Sequence, residues 1–276
     1  PGVLHVVTID DIRKVLPNPY YGPAFHDQPI LADEKVRFVG EPVAAVIASD
    51  PHVAEQAVQL ITAEYEELPA VYDEVEALTS DVYVHDQLKP AGTFADLKHL
   101  KGAKGTNLAL DYRLRRGDFD KAYAGAAHKF EHEFRTQKVL HLSFEPFACI
   151  ADYRDTHVTL HDSTQGPSFV RTEIARLLGW PENKVRIKVL YLGSGYGSKL
   201  YIKLEALVAV CALLTRRPVR IALAMDEQFV TITKHGATVR IKTGVRSDGR
   251  MIAREVETLE KQLLVLASIA SAGPFV

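Results

Sequence analysis

Apolar positions come in short runs divided by Gly, Pro and charged clusters. Val3 to Val7 is the first, and Thr8 and Asp10 behind it can cap a helix over Asp11 to Leu16. A Pro/Tyr/Gly-rich loop runs from Pro17 to Pro23. Two apolar runs between Val36 and Ser49 break at Gly40-Glu41-Pro42, and the unbroken Val43 to Ala48 reads as a buried strand. Asp50-Pro51 supplies a capping acid and a first-turn proline. Val53, Ala57, Val58 and Ile61 mark the buried face of the helix they open. Glu64 to Tyr72 is expected to return as a strand, interrupted at Pro69. Asp86 to Asn107 is rich in Lys, Gly and Ala with little periodicity, which places a boundary between a first domain, 1–107, and a second, 108–276.

The second domain opens on a strand, Leu108 to Leu114, and a short helix over Asp118 to Ala126. Lys129 to Gln137 alternates, with Phe130, His132 and Phe134 on one face of a half-buried strand. This alternation matters because His128-Lys129-Phe130-Glu131-His132 spells a zinc-peptidase pattern that requires a helix. A strand there argues against zinc. Phe147 to Tyr153 and His157 to Asp162 read as a hairpin around Arg154-Asp155. Ser163 to Pro167 leads into a helix with Val170, Ile174, Leu177 and Leu178 inward, ended by Gly179 and Pro181. Strands are expected at Lys184 to Leu192, Val219 to Ala224, Val239 to Val245 and Met251 to Thr258, the last two joined by Asp248-Gly249. The class is α+β with mixed sheets.

Between the strand ending at Leu192 and an apolar helix over Leu200 to Thr215 lies Gly193-Ser194-Gly195-Tyr196-Gly197-Ser198-Lys199. Glycine at every second position lets backbone amides approach a ligand, and a helix start favours an anion. The dinucleotide fingerprint fails because the third glycine comes one residue early. The phosphate-loop motif fails because Ser198-Lys199-Leu200 stands where Gly-Lys-Ser/Thr is needed. The local sequence leaves a plain glycine turn and a ligand cradle both open.

Composition narrows the partners. A net charge of −2 over 276 residues gives no reason to expect nucleic acid or an anionic membrane surface. The most apolar stretch, Leu204 to Leu214, is shorter than a bilayer span and carries Glu205. The two cysteines, Cys149 and Cys211, lie in apolar runs and are expected to be reduced and buried. The chain starts at Pro1 and stops inside a small apolar tail, Leu263 to Val276, so an excerpt of a longer polypeptide is expected.

Several stretches, in order, resemble the molybdenum-binding subunit of the xanthine dehydrogenase/aldehyde oxidase family. Lys35 to Ala44 with Asp50 to Val71 is similar to its α/β-hammerhead domain, apparently without that domain's first strands. Arg116-Gly117-Asp118 and Glu133-Phe134-Arg135-Thr136 are similar to its domain junction. His141 with Phe144-Glu145-Pro146 resembles its His…Met-Glu-Pro segment, with Phe144 in place of methionine. Thr164-Gln165-Gly166-Pro167 matches its Thr/Ser-Gln-x-Pro, and the glycine stretch resembles its Gly-Gly-Gly-Phe-Gly-Gly-Lys loop. Arg217-Pro218-Val219-Arg220 and Asp226-Glu227 follow at familiar spacing.

The resemblance implies an α/β-hammerhead domain followed by the first part of a molybdopterin-binding α+β domain. It implies hydroxylation beside a heteroatom, or aldehyde oxidation, with water as the oxygen source. The cofactor would be molybdenum–molybdopterin, in its plain or cytosine dinucleotide form. Iron–sulfur (2Fe–2S) centres and FAD on partner subunits or domains would carry electrons away. Gln165, Gly195, Tyr196 and Gly197 fall on cofactor-binding positions. Leu200 stands where purine-oxidising members carry a substrate-binding glutamate, so a less polar small molecule is expected: an aldehyde, an aromatic heterocycle or an aromatic acyl thioester. The general-base glutamate is expected beyond residue 276, which leaves no catalytic residue and no direct metal ligand in this chain. The full-length protein is expected to be a cytoplasmic oligomer, and this chain alone inactive. The alternative reading is a non-catalytic assembly module that docks the iron–sulfur or FAD subunit.

Overall fold

A computed structural model describes residues 1–22, 26–86 and 104–260, and the backbone of 264–272. The strands and helices follow in chain order. They are β1 (Val3–Val7), α1 (Ile9–Val15), β2 (Tyr20–Tyr21), β3 (Gln28–Pro29), β4 (Ala45–Ala48) and α2 (Pro51–Val58). Next come β5 (Leu108–Arg116), α3 (Phe119–Ala124), β6 (His128–Thr136), β7 (Ala148–Arg154), β8 (His157–Asp162), α4 (Pro167–Leu178) and β9 (Val185–Lys188). The chain continues through α5 (Glu205–Thr215), β10 (Val219–Ala222), α6 (Met225–Thr231), β11 (Ala237–Val245), β12 (Met251–Glu260) and β13 (Leu264–Ala272). Among the described residues no helix is long and apolar enough to cross a membrane.

Two compact units divide these elements, and neither is one block of sequence. Among the described residues, the first holds 1–66 and 140–233, and the second holds 67–86, 104–139 and those from 234 onward. The first unit contains a four-stranded sheet, β10-β7-β8-β9, and two small two-stranded sheets, β1-β4 and β2-β3. β7 and β8 form the expected hairpin, with left-handed φ at Asp155 and Thr156 in its two-residue turn. β8 and β9 pair in parallel across α4, so the sheet is mixed.

α5 lies against this sheet. Every residue from Ala206 to Ala212 is buried, as a helix apolar on all sides requires. Val208 and Val210 are fully enclosed, each worth about 1.5–3 kcal/mol of transfer free energy. Val170, Ile174 and Leu177 of α4 join the same core, and Gly179 ends α4 at φ 66°. Cys149 and Cys211 are buried and free, and burial raises both thiol pKa values.

Several expectations change. Asp50 caps α2 as expected, its Oδ1 accepting from the His52 and Val53 amides, but α2 has no buried residue and Val58 is exposed. The strand expected at Glu64 to Tyr72 is absent; these residues form no helix or strand and pair with nothing in a described sheet. The strand before the glycine stretch stops at Lys188, whose pairing with His161 is the last between β8 and β9. The helix after it starts at Glu205, not Leu200. α6 and β13 carry no expectation from the sequence.

The second unit is a five-stranded sheet, β5-β13-β12-β11-β6, in which β5 and β13 run parallel. One face is a charge ladder: Arg240 of β11 reaches Glu133 of β6 and Glu257 of β12, both at 3.0 Å. The other face carries Phe130, His132 and Phe134, with ring centroids 6.4 and 5.9 Å apart. Phe130, Phe134, Tyr112 and Leu114 are exposed, so β6 is not the half-buried strand expected. The strand conformation does set Glu131 opposite His128 and His132 and spaces those histidines by about 13 Å, too far to share zinc.

Candidate functional site

The glycine stretch lies in the first unit, in a loop between β9 and α5. Its three glycines are needed for different reasons. At Gly193 an added Cβ would stand 2.8 Å from the Cβ of Glu145. At Gly195 it would stand 2.4 Å from Gln165 Oε1, inside any allowed contact. Gly197 has open space around it but takes φ 93°, a backbone that side chains resist. Ser194 and Tyr196 also take positive φ, 87° and 53°. Holding Ser194 there costs about 1–3 kcal/mol, offset by its hydroxyl accepting from the Phe144 amide at 3.1 Å.

Left-handed residues in succession turn backbone amides toward one concavity. The amides of Ser194, Gly195 and Tyr196 meet no acceptor among the described residues. Gly195 is buried, whereas Tyr196 and Gly197 are exposed. Of the three residues with unbonded amides, Tyr196 is exposed, Ser194 half-buried and Gly195 buried.

Gln165 sits at the entry to α4, and its backbone amide donates to the Lys199 carbonyl at 2.8 Å. Its side-chain Oε1 accepts from the Gly197 amide at 2.9 Å. That bond assigns the amide orientation, leaving the Nε2 donors for another partner. Gln165, Gly195, Tyr196 and Gly197 are thus brought together by direct contact or adjacency. Leu200 follows at the loop's end, partly exposed, and its carbonyl lies against Gly166. The helix dipole expected behind the loop is displaced by five residues, because α5 begins at Glu205.

The residues that hold this loop were not assigned a site from sequence. Lys199 is completely buried and its Nζ bonds Glu145 Oε2 at 2.7 Å and Ser163 Oγ at 2.8 Å. Glu145 Oε2 also accepts from Ser163 Oγ at 2.6 Å and from the Gly193 amide at 2.8 Å. Burial raises the Glu145 pKa, but the bonds from Lys199, Ser163 and Gly193 outweigh it and the net shift is downward. Glu145, read from sequence as part of a strand, lies ahead of β7 in irregular backbone. The Ser198 hydroxyl donates to the Gly195 carbonyl at 2.7 Å and lies 3.3 Å from the Ser143 hydroxyl. Spacings of 54 and 36 residues between partners leave no signal in a single sequence.

Fold and loop together define an α+β protein with a preformed cradle of amide donors beside an oriented carboxamide. The chain matches the family described as "Molybdopterin cofactor-binding domain" over residues 100–267. Residues 1–69 match "Aldehyde oxidase and xanthine dehydrogenase, a/b hammerhead domain". The chain belongs to the molybdenum-binding part of the xanthine dehydrogenase/aldehyde oxidase family. It is 32% identical to the nicotinate dehydrogenase large molybdopterin subunit of Eubacterium barkeri, over 93% of this chain and 56% of that one. It is 31% identical to the probable hypoxanthine oxidase XdhD of Escherichia coli (strain K12), over 93% of this chain and 29% of that one. The aldehyde oxidoreductase from Desulfovibrio gigas shares the fold at a TM-score of 0.79 and 22% identity, over 99% of this chain and 32% of that structure. The chain thus spans between 29% and 56% of these three proteins.

Proposed function

We propose that this chain supplies one wall of the molybdenum–pterin site of a molybdenum hydroxylase. The observation that carries the reading is the Gln165–Gly197 bond beside three loop amides that meet no acceptor among the described residues. An oxo-rich anionic group needs donors without added negative charge, and a carboxamide and backbone amides are such donors. Gln165 would donate through Nε2, and the amides of Ser194 to Tyr196 would line the adjacent surface. When bound, the cofactor supplies a two-electron oxidation with water as the oxygen source. The chain's own part is to bind and orient it.

The finer parts of the reading go with this. Residues 1–107 would be the hammerhead domain and 108–276 the first part of the cofactor domain. The cofactor would be of the plain or the cytosine dinucleotide type, iron–sulfur and FAD subunits or domains would accept the electrons, and the assembly would be cytoplasmic and oligomeric. Leu200 replaces the acidic residue expected beside a purine, which favours an aldehyde, an aromatic heterocycle or an aromatic acyl thioester. Relatives named for hypoxanthine and for nicotinate both match this chain, so turnover has to decide. These 276 residues alone would hold no molybdenum and have no activity.

The test is to purify the full gene product and this chain separately, then measure molybdenum and released pterin. The full product is next assayed against aldehydes, N-heterocycles, aromatic acyl thioesters and xanthine with an artificial electron acceptor. Molybdenum and pterin in the full product, with oxygen from labelled water in the hydroxylated product, are expected. A full product without molybdenum overturns the function. Efficient xanthine turnover overturns the substrate reading. Stoichiometric metal on the 276-residue chain overturns the claim that it is inert alone.

A further inference from the structure

One carboxylate oxygen ties both ends of the glycine loop. Glu145 Oε2 accepts from the Gly193 amide at the loop's start and from Lys199 Nζ at its end. The Glu145 amide returns a bond to the Gly193 carbonyl at 3.2 Å. The Lys199 carbonyl is held in turn by the Gln165 amide at 2.8 Å and the Thr164 hydroxyl at 3.0 Å. Ser163 bridges the two charges, donating to Glu145 and accepting from Lys199. The ammonium has three protons, and Glu145, Ser163 and the Pro146 carbonyl at 3.4 Å are its three acceptors.

We propose that Lys199 and Glu145 are positioning residues that clasp the glycine loop closed. The clasp keeps the amides of Ser194, Gly195 and Tyr196 free of internal acceptors and available to a ligand. The ligand named here rests on the molybdenum–pterin reading above; the clasp itself does not.

Lys199 is buried while the Glu145 side chain is 35% exposed, and an ion pair of this kind is a poor source of stability, because desolvation of the ammonium cancels much of the attraction and an apolar side chain of similar volume serves as well. What an apolar pair cannot do is collect the Gly193 amide and the Lys199 ammonium on one oxygen. Loop residues 194, 196 and 197 hold left-handed φ, and such backbone persists only where surrounding bonds over-determine it. Without the clasp, the Gly193 end is released and the loop can relax toward ordinary dihedrals. Gln165 would then lose the Gly197 amide that orients its carboxamide.

The test uses the full gene product and two variants, Lys199→Met and Ser163→Ala. Methionine keeps the volume and removes the charge. Ser163→Ala removes only the bridging hydroxyl and leaves the ion pair. Amide exchange is followed at Gly193, Gly197, Ser198 and Leu200, which are bonded within the loop region, and in α5 as the reference. Molybdenum and pterin content are measured on the same samples. Lys199→Met is expected to speed loop exchange by roughly tenfold or more while α5 exchanges as before. Ser163→Ala is expected to speed it less, also without change in α5. Molybdenum content is expected to fall in the same order. Loop exchange equal to the parent in both variants overturns the clasp, as does exchange that rises equally in loop and α5. If Lys199→Met does not fold, Ser163→Ala decides alone by the same two criteria. A parent that holds no molybdenum overturns the cofactor reading, and the exchange measurements still decide the clasp.

Discussion

Asp162, at the end of β8, faces Glu205, the first residue of α5, inside the core of the first unit. Glu205 is buried, and Asp162 Oδ2 is buried with no hydrogen-bond partner. Burial first, and the neighbouring Glu205 second, push the Asp162 carboxyl up to about 8. Burial raises Glu205 as well, while the Lys203 amide, at 2.5 Å, favours its charged form. The pair therefore holds a proton that the unfolded chain would release near 3.8.

The sign follows from linkage. The folded state binds more protons, so stability falls as pH rises between the unfolded and folded values. The contribution is complete below 3.8 and lost as pH climbs through about 8. For one isolated group that interval would amount to an upper bound of roughly 6 kcal/mol; relaxation and water entry around the ionised pair reduce it, and about 3 kcal/mol is expected. Asp162→Asn removes the titration and gives Glu205 a permanent amide donor. Unfolding in urea can be followed through Trp180, the single tryptophan, which packs on Tyr153 with ring centroids 5.7 Å apart in the same unit. Parent and variant should have equal midpoints near pH 4. Above pH 8 the variant's midpoint should be higher by about 1–2 M, from about 3 kcal/mol and an m-value near 2 kcal/mol/M. Parallel pH curves for the two proteins, or a variant less stable at pH 9, would refute the shared buried proton.

Three further outcomes test the site and the fold. Gly195→Ala puts a Cβ 2.4 Å from Gln165 Oε1, so molybdenum content of the full product should fall by roughly tenfold or more while thermal unfolding shifts by only a few degrees; metal analysis and a melting curve check it. Leu200→Glu restores an acidic side chain at the loop's exposed end and should raise kcat/KM for xanthine relative to an aldehyde, whereas an unchanged ratio would remove Leu200 from substrate selection. Phe130→Ser with Phe134→Ser thins the exposed aromatic face of the five-stranded sheet. It should lower the fluorescence of a dye that binds apolar surface, at a cost in stability of about 1 kcal/mol or less per site.

Periodicity exposed those elements whose reasons are local. The Asp50 cap, the β7–β8 hairpin, α4 with its Gly179 end and the buried α5 all follow from residues within one turn or one strand of each other. The misses share a different cause: each was decided by whether a partner distant in the chain is present or absent. Leu200 to Leu204 has helical composition, yet the Lys199 carbonyl, needed by a helix starting there, is already taken by Gln165 and Thr164. The helix starts only at Glu205, whose carboxylate accepts from the Lys203 amide just ahead of the Leu204 N-cap. Val189 to Leu192 has the alternation of a strand but no neighbour to pair with, and Glu64 to Tyr72 likewise has none among the described sheets.

The candidate site divides along the same line. Gln165 and the glycines were legible because their resemblance to a family is local. Glu145, Ser163 and Lys199 were not, because a lysine after a glycine loop looks solvated until its burial and its distant partners are seen. Even the three glycines, identical in sequence, separate only in the structure: two make room for Glu145 and Gln165, and one sets a backbone angle. The residues proposed to face a ligand are thus local in the sequence, while those that hold the loop in place are fixed by long-range contacts. It is the second set that decides whether the loop amides stay available.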